Sequence, residues 1–164
     1  MPSAVTQIAP ADSASAQQHF ESAFRFETDC WDVHDSISNG RQDFVLLDAR
    51  SHELFAKGHV PGAVSLPHGK IIESTMAAYP PQTMFVVYCA GPHCNGAHRG
   101  AVRLAKLGRS VKLMIGGMTG WVDEGFELET LTSSRTSNAA ISPAPSAPMQ
   151  LQGDAHVSQA SSPQ

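Results

Sequence analysis

Residues 84–108 read MFVVYCAGPHCNGAHRGAVRLAKLG, and this stretch decides the fold. Its first five residues are continuously apolar, with two β-branched valines and two aromatics, the pattern of a strand buried on both faces. Its last dozen place Ala97, Ala101, Leu104 and Ala105 in an apolar stripe, with Arg99, Arg103 and Lys106 elsewhere and Gly108 as a stop. A buried strand running through a short glycine-bearing loop into an amphipathic helix is half of a βαβ unit.

Working outward, 43–47 (DFVLL) and 111–115 (VKLMI) are further apolar runs, and 63–66 is a shorter one closed by Pro67. Between them, 29–38 (DCWDVHDSIS) brings Cys30, Val33 and Ile37 to one helical face before the stop at Asn39-Gly40. A second helix is expected over 71–79, ending before Pro80-Pro81. Alternating strands and helices predict an α/β layer fold with a central, mostly parallel sheet flanked by helices. In such folds ligands sit at the carboxyl ends of strands, here just after Tyr88.

The chain has 164 residues, enough for one domain with tails. Segments 1–16 and 132–164 are rich in Ala, Ser and Pro and are expected to be disordered, leaving 17–131 as the folded unit. A net charge of -4 without dense basic runs argues against a nucleic-acid binder. Three cysteines are too few and odd for a disulfide scaffold, which points to a reducing compartment. No secretory leader and no membrane span is read, so the expected location is the cytoplasm.

Cys89 stands where such a fold places its reactive groups. The loop Ala90, Gly91, Pro92, His93, Cys94, Asn95 and Gly96 opens into the helix carrying His98 and Arg99. Successive backbone N–H groups and the helix dipole favour a thiolate there, so the Cys89 pKa is expected to fall. As a lone intracellular cysteine Cys89 would more often be a small buried hydrophobe; the loop glycines turn the reading toward an anion site. Cys30, on an apolar helix face, reads as core.

Four segments resemble the rhodanese family: Leu46-Leu47-Asp48-Ala49-Arg50; Gly58-His59-Val60-Pro61-Gly62-Ala63 with Leu66-Pro67; Val86-Val87-Tyr88-Cys89; and Ile115-Gly116-Gly117 with Trp121 downstream. The resemblance implies the three-layer rhodanese-like fold and makes Cys89 the cysteine that accepts a sulfane sulfur, as a persulfide, and passes it on. It implies a small sulfur-donor anion and a thiol or cyanide acceptor, free or on a protein, with no cofactor and no resident metal. Asp48 and Arg50 match the family's acidic-basic pair and are read as structural near the site; His59, Pro61, Gly62, Gly116, Gly117 and Trp121 are read as turn and packing residues.

The loop departs from the family pattern. Single-domain sulfurtransferases of the family run from cysteine through a six-residue loop ending in arginine, and related phosphatases use seven. Here the span from Cys89 to Gly96 is longer and contains no arginine. Arg99 either compensates from the first helical turn or points to solvent. Cys94 is either a resolving thiol for a Cys89 persulfide or sulfenate, or a packing residue. A metal site made of Cys89, His93, Cys94 and His98 has suitable ligand types but weak spacing. Two other functions stay open: a noncatalytic anion-binding, partner-binding or thiol redox-sensing module, and, further down, a phosphatase or arsenate-handling enzyme.

Overall fold

The computed structural model describes residues 1–131. The expected disordered tail, 132–164, lies outside the described residues.

Five parallel strands form the sheet: β1 (Glu27–Thr28), β2 (Val45–Asp48), β3 (Val64–Ser65), β4 (Met84–Tyr88) and β5 (Ser110–Met114), in the order β1-β5-β4-β2-β3. The helices are α1 (Ser13–Ala23), α2 (Cys30–Ser38), α3 (His52–Lys57), α4 (Glu73–Met76), α5 (Gly96–Lys106) and α6 (Gly117–Asp123), with a 3-10 turn at His68–Lys70. This is the α/β three-layer arrangement, and β4, the most apolar strand, lies at its centre between β5 and β2.

Side-chain alternation along the strands builds two cores. Leu46, Val86, Tyr88 and Met114 face α2 and α6, where they meet Val33, Met118 and Trp121. Leu47, Phe85, Val87 and Cys89 face the other way, against Ile71, Met76, Ala97 and Leu104. Cys89 thus belongs to the face covered by α5.

Local signals explain most boundaries. Asp29 caps α2 by accepting from the Asp32 amide, and Gly40 takes φ +63° just beyond its end. Three readings change. The stripe of α5 is buried at Ala97, Gly100 and Leu104, whereas Ala105 is exposed. Gly100 belongs there because a Cβ at that position would stand 3.2 Å from Val87 Cγ2 and 3.3 Å from Ile71 Cδ1, a close approach that gives no hydrophobic signal in sequence. The helix expected over 71–79 shortens to Glu73–Met76, following the 3-10 turn.

The third change is at the N-terminus. Helix α1 begins at Ser13, within the segment expected to be disordered, because Asp12 caps it by accepting from the amides of Ala14 and Ser15. It buries no residue, which is why its composition resembles that of a tail. No helix among the described residues is long and apolar enough to cross a membrane.

Candidate active site

The end of β4 is fixed by a buried polar network. Asp48 pairs across the ladder with Tyr88, and the Tyr88 hydroxyl donates to Asp48 Oδ2 at 2.8 Å while accepting from the Val60 amide at 3.2 Å. Arg50 grips the same carboxylate in bidentate fashion, Nε to Oδ1 at 2.9 Å and Nη2 to Oδ2, and donates onward to the Gly58 carbonyl at 2.7 Å. Burial first, and then the Asp48 charge, push the Tyr88 phenol far above its ordinary value, so it remains a donor. Neither Asp48 nor Arg50 lines the cavity beside Cys89; they hold the strand from which it emerges.

From the other side, the Gly116-Gly117 turn and α6 hold the loop. The Met118 amide donates to the Cys89 carbonyl at 3.0 Å and the Thr119 amide to the Ala90 carbonyl at 2.9 Å. Gly117, at φ +58°, has no room for a side chain: a Cβ there would meet the Cys89 carbonyl oxygen at 2.5 Å. Cys30 packs beneath this turn, its Sγ 3.5 Å from the Ile115 carbonyl, and burial pushes its thiol up to about 11. It is an inert core thiol.

Cys89 is only 4% exposed and forms part of a cavity of about 290 Å3. The walls are Gly91, Pro92, Cys94, Ala97 and His98 on one side and Leu113 through Gly117 on the other. This is near the lower limit for ligand pockets, roughly 300 Å3, and suits a small anion or thiol. His98 is the only cation-capable side chain in the lining.

The sequence left two directions open for Arg99, and the structure takes the outward one. Arg99 is exposed on α5 and lines a separate depression with His68, Asn95, His98, Val102, Arg103 and Lys106. Ala90, His93 and Asn95 lie at an outer hollow of the loop with Pro92, Cys94 and His98. Of the proposed loop residues, only Gly91, Pro92 and Cys94 line the Cys89 cavity. Gly96 is buried behind them, where a Cβ would approach Cys94 Sγ to 3.4 Å and Cys89 Sγ to 3.8 Å. Among the described residues no three of His, Cys, Asp or Glu gather as a metal site.

The two loop thiols are therefore close neighbours, and they divide the loop's amides between them. The Cys89 thiol donates to the Cys94 carbonyl at 3.0 Å. Burial pushes its pKa up, the Ala97 amide opposes this, and Cys94 adds to the rise. The Gly96 amide donates to Cys94 Sγ at 3.4 Å and pulls that thiol down, against a smaller effect of burial. The expectation of a depressed Cys89 is thus reversed: burial of its sulfur, with the neighbouring Cys94 thiol, outweighs the Ala97 and Gly91 amides, and the acidic thiol of the pair is Cys94.

The reversal has a measurable consequence. As pH rises from neutrality, iodoacetamide should label Cys94 first and Cys89 only nearer or above the ordinary thiol value of 9.0, as read by peptide mapping. In Cys94→Ala, which removes a group that raises it, Cys89 labelling should move to lower pH. Equal labelling of both thiols at every pH would contradict the assignment.

The comparisons with known proteins fit this geometry. The family model of the Rhodanese-like domain matches residues 32–124. An HTH-type transcriptional regulator of Mycobacterium tuberculosis is 37% identical over 90 residues, covering 51% of this chain and 39% of that protein. An adenylyltransferase and sulfurtransferase of Meyerozyma guilliermondii is 31% identical over 100 residues, covering 56% of this chain and 23% of that protein. The chain spans well under half the length of either relative. A crystal structure of a Bacillus halodurans protein superposes with a TM-score of 0.70 at 34% identity, covering 73% of this chain and 87% of that one.

Proposed function

The chain belongs to the rhodanese-like domain family, and from that premise we propose that it is a sulfurtransferase in which Cys89 carries the sulfur. The Cys89 thiolate attacks the outer sulfur of a donor such as thiosulfate; a sulfur–sulfur bond forms to Cys89 as the donor's own breaks, and sulfite leaves with the electron pair. A thiol, cyanide or protein cysteine then attacks that outer sulfur, and Cys89 leaves as thiolate. The observation that carries the reading is the position of Cys89 on the wall of a small cavity, directly after the central strand. A relative named as a sulfurtransferase supports it.

The chain's own groups support each step. The Ala97 and Gly91 amides, which draw the Cys89 pKa down, stabilise negative charge on its sulfur. Leu113, Met114 and Ile115 make the opposite wall apolar and limit water. No arginine lines the cavity, so a phosphate or arsenate ester would find no guanidinium for its equatorial oxygens, which weighs against phosphatase chemistry. The thiosulfate:cyanide assay, read as thiocyanate formed, tests the proposal directly; because Cys89 must first lose its proton, the rate should climb with pH beyond the neutral range. A protein that binds thiosulfate but forms no thiocyanate would be a binding module.

A second reading rests on the neighbouring thiol. Cys94 thiolate attacks the inner sulfur of a Cys89 persulfide, releasing hydrosulfide and leaving a Cys89–Cys94 disulfide for an external dithiol to reduce. This gives the loop a redox-sensing capacity, in keeping with the transcriptional regulator among its relatives. In Cys94→Ala the Cys89 persulfide should live several times longer, and peroxide should drive Cys89 to sulfinic acid instead of stopping at a disulfide. Identical lifetimes and oxidation products would make Cys94 a packing residue.

A further inference from the structure

The chain is acidic overall, at -4, yet it has no Asp or Glu between Glu73 and Asp123, while Arg99, Arg103, Lys106, Arg109 and Lys112 all fall in that interval. The fold turns this imbalance into a surface. Arg99, Arg103 and Lys106 are exposed at steps of four and three residues along α5, a single ridge about 10 Å long at ~1.5 Å rise per residue. With His68, His98, Asn95 and Val102 they line one open depression that contains no carboxylate.

These cations are not committed to the fold. The three ion pairs found among the described residues are Arg41–Asp35, Arg50–Asp48 and His59–Glu129. Arg109 shows what a committed basic residue looks like, with its guanidinium on the carbonyls of Met76, Tyr79 and Pro80. Like charges one helical turn apart oppose α5 mildly, and the favourable placement of Arg103 and Lys106 in its last turn offsets this only modestly, so helix stability does not account for the ridge. His98 lines this depression and the Cys89 cavity alike, so whatever binds the ridge lies beside the cavity mouth.

We propose that the outer face of α5 is the docking surface for an acidic protein that accepts the sulfur carried by Cys89. This deepens the sulfur-transfer reading and rests on it. A small donor or acceptor cannot engage three cations spread along a ridge of this length, whereas carboxylates on a protein surface can. The rest of this acidic chain repels such a partner, so the basic ridge also sets its orientation and brings its thiol over the cavity.

The test uses the full chain loaded with sulfur by thiosulfate, a peptide carrying one cysteine among glutamates, and the same peptide with glutamines. At low salt the glutamate peptide should take sulfur about tenfold faster than the glutamine one, with the advantage disappearing as ionic strength rises. Arg103→Glu/Lys106→Glu should remove the preference while leaving transfer to 2-mercaptoethanol unchanged. Anisotropy of a labelled, cysteine-free glutamate peptide should show binding to wild type and none to the double variant.

Failure of the chain to take up sulfur, visible before any peptide is added, sinks the sulfur-transfer reading and the acceptor role together. Normal uptake with equal rates for both peptides, or with the preference retained in the double variant, overturns the docking surface alone. A single-stranded oligonucleotide that outcompetes the glutamate peptide on wild type would overturn the acidic protein as occupant.

Discussion

Cys89→Ser is expected to abolish thiosulfate:cyanide transfer, a fall of about 10^3-fold or more to the uncatalysed background, while the circular dichroism of the folded domain is unchanged. A serine oxygen is a far weaker nucleophile toward sulfur and cannot carry a persulfide, and no other thiol occupies the strand-end position. Cys94 is not expected to substitute for it: although more acidic and on the wall of the same cavity, it lies on the loop five residues beyond Cys89 and is more exposed. The variant is structurally mild because Cys89 contributes one small side chain to the face packed by α5. A serine variant that kept most of the turnover would move the chemistry to Cys94.

The largest effect on stability is expected from Asp48→Ala. The carboxylate is fully buried and takes hydrogen bonds from the Tyr88 hydroxyl and the Arg50 side chain. Its removal leaves the Arg50 guanidinium, 9% exposed, without its counter-charge and costs about 3–5 kcal/mol. For a domain of this size the melting temperature should drop by more than about 10 °C. Because neither residue touches the cavity, protein that remains folded at low temperature should still load sulfur on Cys89. A variant that melts like wild type but fails to load would assign Asp48 a catalytic role instead.

How far the sequence could be read follows from which signals are local. Strand β4 appears at 84–88 as expected, since a run such as FVVY has few alternatives. Helix α5 begins at Gly96 as expected, and its last turn is closed by Gly108 at φ +70°. Strand β1 leaves no signal in the sequence because Glu27-Thr28 is two residues long and has no apolar run; it exists only by pairing with Leu113 and Met114 of β5. The outward direction of Arg99 depends on which face of α5 meets the sheet, and that face is marked partly by Gly100, a residue with no hydrophobic signature.

The thiol order illustrates a deeper limit. Composition shows a glycine-bearing loop before a helix, and such loops offer amides to anions. Whether an amide or a carbonyl meets a given sulfur depends on individual peptide orientations, here the Cys94 carbonyl toward Cys89 and the Gly96 amide toward Cys94. Neither orientation is encoded in spacing. Likewise, Asp48 and Arg50 read as a near-site pair, but the Tyr88 hydroxyl that joins them comes from the neighbouring strand.

The central claim is that Cys89 carries the sulfur, and intact mass spectrometry after incubation with thiosulfate tests it most directly. The account predicts one added sulfur atom per chain, mapped to the peptide bearing Cys89 and removed by cyanide with recovery of the starting mass. Electrophilic trapping before digestion, combined with Cys89→Ser and Cys94→Ala, assigns it between the two loop thiols. No mass gain, or a sulfur that persists in Cys89→Ser and vanishes in Cys94→Ala, would contradict the account.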